Sequence, residues 1–430
     1  MTPFTIRQVN PIMNPFTKKL PRGIIYHTIT ESICYLSQAL FMPLENDDRV
    51  RKFELAFAEY CERQYCIAFP FARTAIYYVL KNLNLPAGSE ILMPSITIKG
   101  ILDVVVELGL IPVYVDMDAE TINFQMDDLQ RKIGCNIRAV IITPLFGLVP
   151  DVVAMVNLFR KHNIFIIEDF SQCLNGRFDG KRVGTFGDVG IYSSSSIKTI
   201  DTLGGGLAIT DDSAMYEELR KDQAGLLPAD RIFLVKKAWI NLVRNLATSR
   251  PYFSLFTFPL LQLIRKKDPV TALKQTGHRD KSRLSKLPEL WFCRYTSVQA
   301  DIGLVHIDEV LENDKARISN VEFLKANCGN AKFPKTTARS TNVYWQLILS
   351  VSDSIDAQEF FASRGIDCAT SSLELVSALH EYPNCVDLPI AEELYCNGIF
   401  IPCFPNLQRI DMERIASAVS DYFQRDSNER

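Results

Sequence analysis

Short apolar runs alternate with amphipathic stretches through the first half of the chain. Stretches with helical spacing lie near residues 98–109, 126–132 and 151–161, and the runs around them predict strands at 90–93, 112–116, 139–143 and 164–168. Two further strands, bounded by glycine, are predicted at 188–193 and 206–210. Buried strands that alternate with helices of about ten residues are typical of a parallel sheet covered by helices on both faces. The pattern predicts an α/β fold for about 50–225.

The remaining pattern divides the chain into four parts. We expect an N-terminal arm (1–48), a large domain (49–225), a helical insertion (226–290) and a smaller C-terminal α/β domain (291–430). In the C-terminal part the spacing predicts a strand at 343–349 and helices near 294–312, 356–363 and 410–424.

Segment 231–267 has a composition unlike the rest of the chain. It carries eight Lys or Arg and no acid, and it is dense in Phe, Leu and Ile. One interpretation is a surface element whose apolar face enters a bilayer while its cations meet anionic lipid. A subunit interface or an active-site lid is favoured, because apolar stripes are usually buried in protein. The cations could also recognise an acidic sugar.

Composition excludes several classes of protein. A net charge of −3 over 430 residues gives no basic field to gather nucleic acid. Eleven cysteines without a CxxC pair, and five scattered histidines, argue against a disulfide framework and against a metal site. The first residues lack the order of a signal peptide, and no apolar run reaches the roughly 20 residues of a membrane span, so we expect an intracellular protein.

Three short segments carry candidate chemistry. A predicted strand ends in Glu168 and Asp169, where ligands bind in open α/β sheets, although a strand-end acid is more often a solvated turn. Lys198 follows four serines and precedes three glycines, a loop that could bind phosphate or could simply be flexible. Residues 71–77 open a helix whose amides could bind an anion, unless Thr74 merely caps it.

Taken in chain order (residues 71–77, then Asp169, then the serines and Lys198 ahead of the glycines), the three segments resemble the DegT/DnrJ/EryC1/StrS family of sugar aminotransferases. The family belongs to fold type I of the pyridoxal 5′-phosphate (PLP) enzymes, the aspartate aminotransferase-like fold. The resemblance covers most of the chain except the arm and residues 225–290, through the stretches 53–60, 93–123, 143–147, 166–172, 178–190, 294–304, 388–394 and 400–405.

The resemblance implies a role for each site residue. Lys198 would bind the cofactor aldehyde covalently and later, as a free amine, move the substrate proton. Asp169 would pair with the pyridine nitrogen and favour its protonated form, which makes the ring an electron sink. The remaining implied contacts are Gln172 beside the ring hydroxyl, and Ser193 with the amides of Arg73 and Thr74 on the phosphate.

Three positions depart from the family pattern. Ile98 stands where many members have an aromatic residue near the cofactor ring, so we expect an aliphatic contact there. Phe292 stands where an asparagine of the neighbouring subunit commonly reaches the phosphate, and Gly204 replaces an acidic residue. A catalytically degenerate member that acts as a scaffold or regulator therefore stays an alternative. Related dehydratases carry histidine in place of the lysine, so Lys198 favours transamination.

The function that the resemblance implies is amino transfer from L-glutamate to a carbonyl sugar for cell-envelope polysaccharide or lipopolysaccharide. The altered site and the insertion favour 8-oxo-3-deoxy-manno-octulosonate as the sugar, and the alternative is a nucleotide-linked 4-keto-6-deoxy hexose. We expect a cytoplasmic homodimer with a shared active site, in which the arm and residues 291–300 cross between subunits. Peripheral membrane contact through 231–267 would place it at the inner face of the membrane.

Overall fold

The computed structural model describes residues 18–268 and 282–429. Seven strands form the central sheet, in the order β1-β10-β9-β6-β5-β2-β4. They are β1 (Tyr65–Phe69), β2 (Glu90–Pro94), β4 (Ile111–Val115), β5 (Ile137–Ile142), β6 (Phe165–Asp169), β9 (Val189–Ser193) and β10 (Gly206–Thr210). The shorter strands are β3 (Ile96–Thr97), β7 (Arg177–Phe178), β8 (Lys181–Arg182), β11 (Ser340–Thr341), β12 (Leu347–Ser350), β13 (Glu374–Leu375) and β14 (Gly398–Ile401).

The central sheet is parallel except for β10, which runs antiparallel to both of its neighbours. The carboxyl ends of β1, β2, β4, β5, β6 and β9 therefore meet at one edge, where open α/β sheets bind ligands. The strands are almost wholly buried, as expected for a sheet with helices on both faces. The predicted mostly parallel α/β fold is confirmed.

The helices follow the strands in the expected alternation. Those of the large domain and arm are α1 (Ile29–Phe41), α2 (Asp47–Tyr60), α3 (Ala72–Asn82), α4 (Lys99–Glu107), α5 (Met126–Lys132), α6 (Val152–Lys161) and α7 (Ser213–Ala224). The insertion contributes α8 (Arg231–Thr248), α9 (Arg250–Tyr252), a π-helical turn (Phe253–Thr257) and α10 (Phe258–Lys267). The C-terminal part holds α11 (Ser297–His306), α12 (Val310–Asn327), α13 (Ser354–Ser363), α14 (Pro389–Asn397) and α15 (Arg409–Glu429).

Local sequence explains where several helices begin. Thr28 and Glu31 form a capping box at the start of α1, so two amides that would lack partners are satisfied. Asp151 accepts from the Ala154 amide at the start of α6, and Asp230 accepts from the Phe233 amide at the start of α8. The Asp151 cap explains why α6 begins where the spacing predicts it, near residue 151.

Two predicted elements of the C-terminal part have different bounds. The strand predicted at 343–349 begins only at Leu347, because the Val343 and Tyr344 amides donate to the Gly147 carbonyl and Tyr344 has a φ of 46°. The helix predicted at 294–312 is two helices, α11 and α12, joined by a 3-10 turn. A buried Asp314–Arg317 ion pair lies in α12. Because these buried residues are polar, the spacing of apolar residues does not show where this helix begins and ends.

The N-terminal arm docks on the C-terminal part of the same chain. The Leu20 amide donates to the Gly365 carbonyl at 2.9 Å, and the Asp367 amide donates to the Leu20 carbonyl at 2.9 Å. Arg22 forms a two-pronged ion pair with Asp367, with N–O distances of 2.6 and 2.9 Å. Residues 20–22 of the arm thus pack on the C-terminal part of their own chain.

Candidate active site

Asp169 and Lys198 lie together at the carboxyl edge of the sheet. Asp169 is the last residue of β6, and Lys198 lies in the loop that follows the neighbouring strand β9. Both are buried, with 7% and 6% of their surface exposed. Burial raises the pKa of the Asp169 carboxyl above its ordinary value, while the Ser171 hydrogen bond and the Lys198 charge oppose that rise. The two groups are therefore close enough to interact electrostatically.

Ser171 holds the Asp169 carboxylate in place. Asp169 Oδ1 accepts from the Ser171 amide at 3.1 Å and from the Ser171 hydroxyl. The same hydroxyl oxygen accepts from the Ser193 amide at 2.8 Å. This chain of bonds joins the end of β6 to the end of β9, so the predicted phosphate residue Ser193 lies next to the predicted ring partner Asp169. The Ser193 hydroxyl is 3.0 Å from that of Ser195.

The neighbouring carboxylate, that of Glu168, lies on the other face of the sheet. Because successive side chains in a strand point to opposite faces, Glu168 turns away from Asp169. Its oxygens accept from the amides of Gly184 at 2.8 Å, of Phe186 at 2.7 Å and of Gly187. Burial raises the pKa of the Glu168 carboxyl, and these amides oppose the rise. Glu168 therefore orders the 184–187 turn and does not face Lys198.

Gln172 connects the β6 end to the end of β5. Its Oε1 accepts from the Phe146 amide at 2.6 Å, and its side chain is buried. Phe146 has a φ of 59°, a left-handed conformation, in the short turn that follows β5. The structure thus places Gln172 on the same edge as Asp169.

Trp345 is a neighbour of Lys198 that the sequence pattern did not reveal. The Lys198 Nζ lies 4.1 Å from the centroid of the indole ring, and the indole N–H donates to the Ile197 carbonyl at 3.0 Å. Gly147 allows this approach, because a Cβ there would lie 2.5 Å from the Trp345 amide nitrogen. The residue falls within the strand predicted at 343–349, and that pattern gives no signal that it lies beside Lys198.

The start of α3 carries the two other predicted phosphate residues. Thr74 is the third residue of the helix, so it does not cap α3, and its hydroxyl donates to the Trp291 carbonyl at 2.6 Å. The Thr74 amide donates to the Phe71 carbonyl at 3.1 Å. The Arg73 guanidinium lies between the rings of Phe71 and Trp291, 4.4 and 4.1 Å from their centroids.

Adjacent glycines bring the start of α3 against the start of β10. A Cβ on Gly206 would lie 2.2 Å from the Ala72 nitrogen, and one on Gly205 would lie 2.4 Å from the Ser194 hydroxyl. Gly206 also pairs with Ser193 across β9 and β10. The close approach that only glycine permits therefore places the helix start beside the Asp169–Ser193 group. Gly204 has a φ of 131°, which an acidic residue would adopt only with strain.

The two remaining departures lie around the same helix start. Ile98 is half-buried and directly precedes α4, whose Gly100 packs so closely on Arg73 that a Cβ would lie 2.9 Å from its Cδ. Phe292 packs edge-on against Tyr77 and Tyr78 of its own chain, with centroids 5.2 and 6.1 Å apart. An aromatic cluster thus occupies the place where the resemblance implies a polar contact.

Buried hydrogen bonds from the insertion and from the arm hold the loop that carries Lys198. Asn241 of α8 donates to the Asp201 carboxylate at 3.1 Å, and His27 Nε2 lies 2.9 Å from the Asp201 carbonyl oxygen. Asp201 also accepts from the Leu203 amide at 2.8 Å. The inner face of α8 therefore supports the loop that carries Lys198, a contact that the sequence did not predict.

The chain is similar to known aminotransferases in sequence. Residues 39–229 match the model of the DegT/DnrJ/EryC1/StrS aminotransferase family. GDP-perosamine synthase of Escherichia coli O157:H7 is 24% identical over 379 residues, which cover 87% of this chain and 90% of that protein.

Solved structures share the fold at low sequence identity. The aminotransferase PseC of Helicobacter pylori, involved in the biosynthesis of pseudoaminic acid, superposes with a TM-score of 0.72 at 18% identity, over 95% of this chain and 100% of that one. The sugar aminotransferase CalS13 of Micromonospora echinospora also gives a TM-score of 0.72 at 18% identity, over 94% and 99% of the two chains. The match to the DegT/DnrJ/EryC1/StrS aminotransferase family covers residues 39–229, and the protein is a PLP-dependent aminotransferase.

Proposed function

We propose that the protein transfers the amino group of L-glutamate to a carbonyl carbon of a sugar, with PLP held between Lys198 and Asp169. The observation that carries the proposal is that the Lys198 amine and the Asp169 carboxylate are both buried at the ends of two neighbouring strands, at the carboxyl edge of the sheet. A buried pair of this kind, in a site built by several strand ends, is typical of catalysis rather than of a solvated turn.

The residues at this edge fit the chemical groups of PLP. The Lys198 amine suits the aldehyde, and a fixed Asp169 carboxylate suits a protonated pyridine nitrogen, whose positive charge would offset the burial of the acid. Hydroxyls of Ser193 and Ser195, with the opening turn of α3, suit the phosphate. Half-buried Ile98 suits an aliphatic contact with the ring.

Bound PLP supplies an electron sink for the bonds of the amino acid's α-carbon. The chain's own residues do the rest. Asp169, oriented by Ser171, would hold a proton on the pyridine nitrogen, and Gln172, oriented by the Phe146 amide, would bind the ring hydroxyl. Lys198 Nζ takes the proton from the donor's α-carbon and returns one on the same face, because the Trp345 ring limits where the amine can move.

A nucleotide-linked keto sugar is the acceptor that the comparisons favour. The relative that aligns along 90% of its own length is named for GDP-perosamine, a nucleotide-linked amino sugar. The second candidate is 8-oxo-3-deoxy-manno-octulosonate, an acidic sugar with a free aldehyde. Three substituted positions favour it, because Ile98, Gly204 and Phe292 change the surroundings that the usual substrate would meet. Retention of Lys198 beside Asp169 argues against a degenerate scaffold.

We also propose the setting in which the enzyme works. The product enters cell-envelope polysaccharide or lipopolysaccharide, and the protein acts in the cytoplasm as a homodimer whose subunits share the active site. We propose that the chain has four parts: an arm (1–48), a large domain (49–225), an insertion (226–290) and a small domain (291–430).

The test is a coupled assay on the purified full chain. The protein, reconstituted with PLP, is incubated with L-glutamate and separately with a GDP-linked 4-keto-6-deoxy hexose or 8-oxo-3-deoxy-manno-octulosonate, and 2-oxoglutarate is measured. We expect sugar-dependent 2-oxoglutarate from one sugar and a loss of roughly 1,000-fold or more in Lys198→Ala. Release at the same rate by the variant would contradict the proposal.

A further inference from the structure

The outer face of α8 is apolar although it faces solvent. Ile232, Trp239 and Val243 expose 82%, 56% and 44% of their surface. The opposite face of the same helix is buried and carries Leu234 and Asn241. Because a surface helix ordinarily turns its polar side outward, an apolar outer side indicates a surface that binds another molecule.

The second half of the insertion repeats this arrangement. Leu255 and Phe256 in the π-helical turn expose 69% and 65%, and Leu260 and Leu263 of α10 expose 57% and 60%. The Thr257 hydroxyl donates to the Ala247 carbonyl at 2.8 Å, so this stretch folds back on the end of α8. Among the described residues, no helix is long and apolar enough to cross a membrane.

The exposed end of α1 adjoins the start of α8. Arg231 donates to the carbonyls of Ala39 at 2.7 Å and of Leu40 at 3.0 Å, while Asn245 at the other end of α8 donates to the His27 carbonyl at 2.6 Å. The two helices therefore run antiparallel. Phe41, with 80% of its surface exposed, lies between Leu40 and Met42, whose carbonyls Arg231 binds, and adds an apolar side chain at this end of α8.

The cations of the insertion divide into two groups. Arg231 and Arg250 hold parts of the same chain, and Arg265 is buried near Asp367. The other five are exposed or half-buried: Lys236, Lys237, Arg244, Lys266 and Lys267. Lys236 is four residues after Ile232 and three before Trp239, so it lies on the outer face of α8. Long basic side chains can lay their stems along apolar surface while their charged ends reach outward.

The charge of this surface distinguishes between its two candidate occupants. A twofold subunit interface would bring the same patch of both copies together, and so would set cations against cations without a single acid in 231–267. An anionic lipid leaflet offers apolar chains to the aromatic and leucine side chains, and negative headgroups to the lysines. Trp239 and Tyr252 belong to the residue types that prefer the boundary between headgroups and acyl chains.

We propose that the outer surface of α8 and of residues 252–267 docks the enzyme on an anionic lipid bilayer. The helices lie in the plane of the interface without crossing it. The active site, held by the inner face of α8 through Asn241, remains in water on the other side of this helix. The inference does not depend on which sugar the enzyme uses.

The test is flotation of the full-length PLP-loaded protein with vesicles of phosphatidylcholine alone or mixed with phosphatidylglycerol. We expect roughly tenfold more protein bound to the anionic vesicles at about 0.1 M NaCl, and loss of most of that difference at about 1 M. Trp239→Asp with Phe256→Asp, and separately Lys236→Glu with Lys266→Glu, should each reduce binding roughly tenfold.

Matched controls alter equally exposed residues elsewhere. Ile410→Asp, at a residue with 64% of its surface exposed, and Lys286→Glu, at a side chain 77% exposed, should leave vesicle binding unchanged. All variants should keep the wild-type circular dichroism spectrum. Equal recovery of the wild type with neutral and anionic vesicles would overturn the proposal. So would a twofold fall in the mass of Trp239→Asp by analytical ultracentrifugation, because the surface would then be a subunit interface.

Discussion

Asn241 in the insertion donates to the carboxylate of Asp201, three residues after Lys198, across 3.1 Å. Both residues are buried, with no more than 2% of their surface exposed. The family resemblance does not extend over the insertion, yet this helix holds the loop that carries Lys198. The inner face of the insertion is therefore part of the scaffold of the proposed active site, whatever its outer face binds.

Replacing Asn241 by leucine should loosen this loop. The change removes the side-chain donor to Asp201 and leaves a buried carboxylate oxygen without that partner, which costs about 1–3 kcal/mol. Urea unfolding of the cofactor-free protein measures the free energy, and titration with PLP measures the affinity, which should fall. Trp239→Ala, on the exposed face of the same helix, is the control and should change stability by less than about 0.5 kcal/mol. Equal losses in both variants would contradict the assignment.

Asp169→Asn should separate activity from stability. The amide cannot hold a proton on the pyridine nitrogen, so the transamination rate should fall by roughly 100- to 10,000-fold. In the cofactor-free protein, burial raises the pKa of Asp169, so the folded state favours the protonated acid. Between the unfolded and the folded pKa the folded state binds more protons, so this group's contribution to stability rises as pH falls.

The pH dependence of Asp169→Asn gives the corresponding measurement. Urea unfolding of both cofactor-free proteins from neutral to acidic pH should show the variant more stable near neutrality, with the difference narrowing as pH falls. The other titrating groups are common to both proteins and cancel in the comparison. If instead the variant gained stability relative to the wild type as pH falls, Asp169 would be stabilised as a carboxylate in the empty site.

Glu168→Gln should damage folding rather than chemistry. The carboxylate accepts from three amides of the 184–187 turn, and the replacement puts an NH2 group against donors. Hydrogen bonds to charged groups contribute about 1.5–3 kcal/mol each, so we expect a loss of stability of roughly that size. The turnover number of folded variant, normalised to bound PLP, should stay within about threefold of the wild type. A large fall in turnover at full stability would place Glu168 in the reaction.

Trp345 tests whether the ring beside Lys198 positions the amine. Trp345→Phe keeps an aromatic face but loses the indole N–H that donates to Ile197, whereas Trp345→Ala loses both. We expect turnover to fall about tenfold in the alanine variant and less in the phenylalanine variant, with KM for glutamate nearly unchanged. The pH profile of turnover should shift only in the alanine variant. Identical profiles in all three proteins would reduce Trp345 to a packing role.

The parts that the sequence predicted are those with local signals. A strand that ends in Asp169, and a lysine loop between two glycine-bounded strands, depend on short-range patterns, and the structure places both at one edge. The apolar pattern alone does not distinguish Glu168 from Asp169, because a run of residues does not say which face of a fully buried strand meets the site. Only the family resemblance singles out Asp169. Trp345 and Asn241 reach Lys198 and its loop from 147 and 43 residues away, and no spacing rule covers such contacts.

The most direct test of the central claim is to fix the cofactor to the chain and find where it is attached. The PLP-loaded protein is treated with sodium borohydride, digested, and the peptides are sequenced by tandem mass spectrometry. We predict one pyridoxyl-modified peptide with the modification on Lys198, and no such peptide from Lys198→Ala. Modification of another lysine at full occupancy, with Lys198 unmodified, would contradict the account.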